Sequence, residues 1–337
     1  MIDYRSDTVT KPTKAMLEAM FSAKVGDDVF VEDPTINELE GFAAAIFGME
    51  ASLFCPSGTM TNQIAIKCHT QPGDEVICDR LSHIYQYEGG GIAFNSGCSV
   101  NLIDGYRGIL TAEQVEASIN ADDVHKAATT LVSLENTCNR GGGSCYDFGE
   151  ILAIKEVCNK YNLKLHLDGA RLFNAVIAKN ETLKEYGETF DSISICLSKG
   201  LGTPVGSLIL GNKNFIKKAR RIRKVFGGGM RQAGYLAAAG LFALQNNVDR
   251  LAEDHKNAQI LVTALQQKSF VDEILPTETN IIIFSVKNEM TPSMFIQKMK
   301  EKNILMYPIS PTQVRIVVHL DISNAMIIET VKAIEQM

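Results

Sequence analysis

The stretch that decides the fold is Leu163-Lys-Leu-His-Leu-Asp168-Gly-Ala-Arg171, in which an apolar run ends on a carboxylate. The run is typical of a strand in a mostly parallel sheet that is covered on both faces. Asp168 then lies at the carboxyl end of its strand, which is the edge where open α/β sheets bind ligands. The residues alone leave two roles open: a ligand-facing carboxylate, or a structural group that caps a helix or pairs with Arg171.

Similar apolar runs occur on both sides of this stretch, with helical patterns between many of them. Strands are predicted at 51–55, 75–78, 100–103, 130–134, 163–167, 192–197 and 205–210. Helices are predicted at 35–47, 59–67, 111–119, 148–161, 215–225 and 232–267, and a shorter pattern follows with strands at 280–286 and 314–318 and helices at 292–302 and 323–336. This alternation predicts a large α/β domain with a mostly parallel sheet, residues 1–245, and a smaller C-terminal α+β domain, residues 246–337.

Two further segments place polar groups at the same predicted edge of the sheet. Ser57-Gly58-Thr59 follows one strand and opens a helix, so its N–H groups and hydroxyls either hold a phosphate or simply cap the helix. Lys199 follows another strand and is either a reactive amine or an ordinary lysine in solvent. A phosphate-binding turn at Ser57-Gly58-Thr59, together with Asp168 and Lys199, forms the arrangement that pyridoxal phosphate (PLP) requires.

Composition and charge narrow the class of protein. The 337 residues are 45% apolar and 21% charged, which is typical of a globular protein, and the net charge of −6 argues against nucleic-acid binding. The N-terminus has no signal-peptide pattern, and no apolar run is long enough to span a membrane. The eight cysteines include no Cys-x-x-Cys pair, which favours reduced thiols over a zinc site. We therefore expect a cytoplasmic protein with no bound metal and no nucleic-acid or membrane partner.

An ordered series of motifs resembles the low-specificity L-threonine aldolases, which are fold-type I PLP-dependent transferase-like enzymes. The resemblance covers essentially the whole chain, and its motifs are Arg5-Ser-Asp-Thr-Val-Thr10, Val25-Gly-Asp-Asp28, Asp33-Pro34, Ser57-Gly-Thr59, Leu134-Glu-Asn-Thr137, Asp168-Gly-Ala-Arg171, Leu197-Ser-Lys-Gly-Leu-Gly202 and Gly227-Gly-Gly-Met-Arg-Gln232. It implies cleavage of L-threonine or L-allo-threonine to glycine and acetaldehyde. A β-eliminating amino-acid lyase, a serine hydroxymethyl-type transferase and a PLP-binding protein without catalysis remain alternatives.

The resemblance also implies a role for individual residues. Lys199 forms the Schiff base with PLP, Asp168 pairs with the ring nitrogen, and His83 stacks on the ring. By the same resemblance, the cofactor phosphate is bound by Gly58, Thr59 and Arg231, and Arg231 comes from a neighbouring subunit. The substrate carboxylate is bound by Ser6, Arg171 and Arg315, and Arg171 also belongs to the cofactor site. Either His83 or His125 is the base. A homo-oligomer, either a dimer or a dimer of dimers, follows from the donated arginine.

Three places depart from the pattern of these relatives. Phe30 stands where a tyrosine is common, and Cys138 stands where a histidine is frequent. The segment 140–145 also differs from the usual sequence, and it begins with an arginine, Arg140. We expect these changes to affect substrate range or stereochemical preference and to leave the lysine, aspartate and phosphate positions intact.

Overall fold

Thirteen strands and thirteen α-helices make up the computed structural model, which describes residues 1–287 and 289–337. The strands are β1 (Ile2–Asp3), β2 (Ala51–Cys55), β3 (Glu75–Asp79), β4 (Ser99–Ile103), β5 (Thr129–Glu135), β6 (Lys164–Gly169), β7 (Ser192–Cys196), β8 (Ser207–Gly211), β9 (Val271–Ile274), β10 (Ile281–Val286), β11 (Ile304–Leu305), β12 (Tyr307–Pro308) and β13 (Gln313–Val317). The helices are α1 (Lys14–Phe21), α2 (Pro34–Phe47), α3 (Gly58–His69), α4 (His83–Gln86), α5 (Ala112–Ala117), α6 (Phe148–Lys160), α7 (Leu172–Lys179), α8 (Leu183–Thr189), α9 (Lys213–Val225), α10 (Gly234–Asn246), α11 (Leu251–Gln266), α12 (Pro292–Glu301) and α13 (Asn324–Glu335). Among the described residues, none of these helices has the length and apolar character needed to cross a membrane.

The central sheet has seven strands in the order β2-β8-β7-β6-β5-β3-β4. Only β8 runs antiparallel to its neighbours, so the mostly parallel sheet predicted from the sequence is confirmed. The carboxyl ends of β2, β3, β5, β6 and β7 consequently lie along one edge. Each is followed by a segment whose polar side chains project from that edge, and this shared edge builds the site described below.

The predicted strands of this sheet all occur, with ends that move by one or two residues. The single helix predicted over 232–267 is wrong, because the chain forms α10 and α11 with a break between them. In the break, the Asn247 side chain donates a 2.8 Å hydrogen bond to the Leu201 carbonyl. Residues of α10 pack in the core of the large sheet, whereas α11 from Ala258 onwards packs in a second core. Because the two helices pack in different cores, the chain has to change direction between them. The helical periodicity of the sequence alone does not reveal this change.

The second core lies around a four-stranded antiparallel sheet in the order β12-β13-β10-β9. The N-terminal arm joins it, because β1 pairs in parallel with β11 and the side chains of Ile2 and Tyr4 are buried there. The Tyr4 hydroxyl is 2.9 Å from the hydroxyl of Thr330 on α13. The same arm continues to Ser6 and Thr8, which lie at the carboxyl edge of the large sheet. The division at residues 245 and 246 stays a prediction.

Candidate active site

Two adjoining cavities open at the carboxyl edge of the large sheet. The smaller, about 150 Å³, is lined by Ser57, Gly58, Thr59, Asn62, Asp168, Ala170, Cys196 and Ser198, and the larger, about 380 Å³, by Ser6, Tyr87, Asn139, Arg140, Arg171, Tyr307, Pro308, Ile309 and Arg315. Thr8, His83 and Lys199 line both cavities. The structure therefore brings together every predicted site residue except His125 and Arg231.

The first turn of α3 forms one wall of the smaller cavity. Ser57 caps the helix, and its side chain accepts a 3.2 Å hydrogen bond from the Met60 N–H. A Cβ atom on Gly58 would lie only 2.5 Å from the Cys196 sulfur, so the turn can approach β7 this closely only with glycine. The free N–H groups and the positive end of the helix dipole suit a phosphate at this wall.

Asp168 lies opposite, buried at the end of β6. One carboxylate oxygen accepts a hydrogen bond from the Ala170 N–H at 3.1 Å, and the other accepts one from the Asn62 amide at 2.9 Å. Asn62 is held in turn by the ring of His166, at 3.2 Å. Among the described residues, no cationic side chain forms an ion pair with Asp168, and Arg171 pairs elsewhere. A buried carboxylate fixed by neutral donors fits a cation such as a protonated pyridine nitrogen.

His83 begins α4, and two carboxylates hold it in place. Its backbone N–H donates to Glu135 at 2.7 Å, and its Nδ1 lies 3.0 Å from Glu88. Burial disfavours the charged ring, but the hydrogen bond with Glu88 and the charge of Asp168 outweigh burial and raise the pKa of His83. Fixing Nδ1 in this way leaves Nε2 as the nitrogen available for proton transfer.

The side chains of His83, Glu88 and Asp168 place potential metal-ligand atoms within 4.8 Å of one another. Glu88 also accepts hydrogen bonds from the amides of Asn62, at 2.9 Å, and Gln63, at 2.7 Å. These amide donors face the carboxylate oxygens that a cation would need. The arrangement is thus organised as a hydrogen-bond network around the base of the cavity.

Of the three arginines that line the larger cavity, Arg171 and Arg315 are those predicted to bind the substrate carboxylate. Arg171 forms two 2.7 Å hydrogen bonds with Asp7, and both side chains are buried. Burial opposes ionisation of Asp7, but the adjacent guanidinium dominates and lowers the pKa of Asp7 to about 2. Arg315 on β13 donates to the Asn139 side chain at 2.9 Å and to the Arg5 carbonyl at 3.1 Å. Its buried Nε has no partner among the described residues, so the guanidinium retains capacity for a carboxylate.

The structure does not bring His125 or Arg231 to these cavities within one chain. His125 precedes β5, so it lies at the amino edge of the sheet, whereas the cavities lie at the carboxyl edge. Its side chain is 87% exposed and bonds to Asp123 at 2.7 Å. The expected position of His125 near the substrate is therefore not reproduced within the chain. Arg231 is 54% exposed and pairs with Asp27 at 2.8 Å, so its predicted role across a subunit boundary stays a prediction.

Three acidic residues of the site were not predicted from the sequence. Asp7 and Glu135 lie inside motifs quoted above, but neither was given a role. Glu135 ends β5, and it pairs in register with Asp168, the next-to-last residue of β6. The rule that marked Asp168, a carboxylate at the end of an apolar strand, applies equally to Glu135. By contrast, Glu88 follows no strand, and only the tertiary structure places it beside His83.

The pH dependence of stability is expected to report on Glu135. Burial first, and then the charge of Asp168, raise the pKa of Glu135 to about 7, whereas an unfolded glutamate titrates near about 4.3. Between these values only the native state keeps the proton, so stability falls as the pH rises. Relative to Glu135→Gln, the protein should therefore lose free energy of unfolding as the pH rises from 5 to 8, as measured by urea denaturation. Parallel pH curves for the two proteins would contradict this.

The fold and the site together define a class of protein. A mostly parallel sheet with one antiparallel strand carries a phosphate-binding turn, a buried carboxylate and a lysine around one small cavity. These three groups match the phosphate, the ring nitrogen and the aldehyde of PLP. The protein is a PLP-dependent enzyme of fold type I.

Comparison with known proteins gives the family. The model of the beta-eliminating lyase family matches residues 3–289. The low-specificity L-threonine aldolase of Escherichia coli (strain K12) is 46% identical, with 98% of this chain and 97% of that protein covered. Low-specificity L-threonine aldolase 1 of Arabidopsis thaliana is 40% identical, with 99% and 96% covered. The chain therefore belongs to the low-specificity L-threonine aldolases of the beta-eliminating lyase family.

The solved structure of Leishmania major threonine aldolase has the same fold. It matches with a TM-score of 0.87 at 21% identity, over 100% of this chain and 99% of that one. The agreement extends over both cores described above. It supports the fold independently of sequence similarity.

Proposed function

We propose that this protein cleaves L-threonine or L-allo-threonine to glycine and acetaldehyde. The observation that carries the proposal is the junction of the two cavities at Lys199, with the cofactor-binding groups on one side and the arginines on the other. Relatives that carry the name L-threonine aldolase over nearly the full length of the chain support it. The substrate is thus an amino acid whose carboxylate faces Arg171 and Arg315.

We assign the individual roles as follows. Lys199 is the residue that bonds PLP, Asp168 holds the ring nitrogen, and Gly58 and Thr59 bind the phosphate, assisted by Arg231 of a neighbouring subunit. Ser6, Arg171 and Arg315 bind the substrate carboxylate and thereby orient the Cα–Cβ bond for cleavage. When bound, PLP supplies the conjugated ring that accepts the electron pair of that bond.

We propose that His83 takes the proton of the substrate β-hydroxyl. It lines both cavities, and Glu88 fixes its Nδ1. His83→Asn is expected to lower kcat/KM for L-threonine by about 100-fold and to remove the acidic limb of the pH profile. His125→Asn serves as the comparison, with a smaller loss, because its side chain lies at the opposite edge of the sheet. Equal losses, or a larger loss for His125→Asn, would contradict this assignment.

Product analysis tests the proposed reaction. Purified holoenzyme is incubated with L-threonine and with L-allo-threonine, and glycine, acetaldehyde, ammonia and keto acid are measured. Equal amounts of glycine and acetaldehyde are the expected result. Ammonia with a keto acid would instead assign the protein to β-elimination, and no product from either substrate would refute the proposal.

We further propose a homo-oligomer, a dimer or a dimer of dimers, located in the cytoplasm. The exposed Arg231 and the exposed aromatic side chain of Phe30 support an interface between subunits. All eight cysteines are free and buried, which suits a reducing compartment. Light scattering coupled to size-exclusion chromatography gives the number of subunits, and a monomeric holoenzyme would contradict the proposal.

A further inference from the structure

One of the three departures from the family pattern reaches the larger cavity. Arg140 lines this cavity, whereas Phe30 and Cys138 line neither cavity. Arg140 follows Asn139, whose side chain bonds the carboxylate-binding Arg315 at 2.9 Å. A change of residue type at this position therefore changes the surface that a substrate contacts.

The loop that carries Arg140 is held firmly. Cys138 and Ser144 close it with a 3.0 Å backbone hydrogen bond, and Gly142 and Gly143 both have a positive φ, at 79° and 71°. Across the cavity, Arg140 Nη1 donates to the Ile309 carbonyl at 3.2 Å. The guanidinium is thus directed by a tight turn and by one neutral acceptor, which is a preorganised arrangement for an anion.

The charges around the larger cavity do not balance. Its lining includes Arg140, Arg171, Arg315 and Lys199, and no acidic side chain among the described residues lines it. Asp7 neutralises Arg171, and one substrate carboxylate can neutralise Arg315. Burial, and then the positive charges of Arg171 and Arg140, lower the pKa of Arg315, so the cations are close enough to repel one another. No ion pair with Arg140 forms among the described residues, and its charge remains uncompensated.

We infer that Arg140 selects β-hydroxy-α-amino acids that carry a second carboxylate on the β-carbon, of which 3-hydroxyaspartate is the simplest. This inference rests on the proposed function and adds a substrate class to it. Arg171 and Arg315 bind the α-carboxylate as they do for threonine, and Arg140 binds the β-carboxylate. Among the described residues the Arg140 guanidinium bonds only the Ile309 carbonyl, through Nη1, so its other N–H groups can form a charge-assisted pair.

The reaction is the same retro-aldol cleavage and needs no additional reactant. The Cα–Cβ bond breaks, the β-hydroxyl loses its proton as its C–O bond becomes a carbonyl, and Cα gains a proton. From 3-hydroxyaspartate the products are glycine and glyoxylate, with no change in the overall oxidation state. Release of glycine thus measures every substrate on one scale.

The test compares three substrates of similar size on the holoenzyme: 3-hydroxyaspartate, its neutral amide 3-hydroxyasparagine, and L-threonine. The wild-type enzyme is expected to prefer the acid over the amide in kcat/KM. Arg140→Met should lower the ratio of kcat/KM for 3-hydroxyaspartate to that for L-threonine by roughly 10- to 100-fold. Arg140→Gln, which keeps a donor for the Ile309 carbonyl, should lower it similarly, because the charge is lost. Arg221→Met, an exposed position on α9, is the matched control and should leave the ratio unchanged.

The outcomes distinguish a failure of the inference from a failure of the proposed function. If the enzyme cleaves L-threonine but the ratio is the same in the wild type and both Arg140 variants, the inference fails and the proposed function stands. If the acid and the amide are cleaved equally well, the inference also fails. If no substrate releases glycine, the proposed function itself is refuted, and the inference with it.

Discussion

Lys199→Ala is expected to reduce glycine release from L-threonine by at least about a thousandfold. Lys199 lies where the two cavities meet, and no other lysine of the described residues lines either cavity. No amine would then remain within reach of both the cofactor and the substrate. The variant should also lose the visible absorbance of the bound cofactor, which is a readout independent of activity. The measurement is the initial rate at saturating L-threonine, with added PLP.

Borohydride reduction provides the decisive control for this prediction. In the wild-type holoprotein, reduction followed by peptide mass spectrometry should place the cofactor on Lys199. Lys217→Ala, an exposed position on α9, should behave as wild type in rate, absorbance and labelling. Labelling of a different lysine, or unchanged activity of Lys199→Ala, would show that the cofactor is held elsewhere.

The second large effect concerns stability. Asp7→Ala is expected to lower the free energy of unfolding by about 3–5 kcal/mol, because it leaves the buried guanidinium of Arg171 without its partner. Arg171 is only 6% exposed, and Asp7 is fully buried. The double variant Asp7→Leu with Arg171→Met should recover most of the loss, since the charge and its partner are removed together. Urea denaturation at fixed protein and PLP concentrations measures both effects.

Asp3→Ala is the matched control. Asp3 also pairs with an arginine in the N-terminal arm, Arg5, at 2.6 Å, but the arginine is 36% exposed. An exposed pair contributes no more than about 1 kcal/mol. A loss for Asp7→Ala no greater than that for Asp3→Ala would show that Arg171 finds water or another acceptor after the change.

Much of the large sheet could be predicted because each of its strands is recognisable from a short stretch of sequence. Buried parallel strands are continuous apolar runs, and the groups that follow them must share one edge. On this basis Ser57, Asp168 and Lys199 were predicted to lie close together, and in the structure they line one cavity. It did not separate α10 from α11, because both have helical periodicity and the break depends on which core each helix packs against.

Contacts between residues far apart in the chain could not be predicted from the sequence. Asp7 and Arg171 are separated by 164 positions, and Arg315 and Asn139 by 176. Nothing in their neighbours indicates which carboxylate pairs with which arginine. The sequence suggested Asp168 as one partner for Arg171, and the fold supplies Asp7 from the N-terminal arm instead.

The amino-acid sequence by itself determined the class of fold, the cofactor and the family. Apolar runs and strand-end motifs consist of neighbouring residues, so they and their order can be recognised without the fold. Only the tertiary structure decided which arginines carry free charge in the larger cavity, that Glu88 and Glu135 hold His83, and that His125 lies at the opposite edge. Electrostatic balance depends on distances between residues far apart in the chain, and those distances exist only after folding.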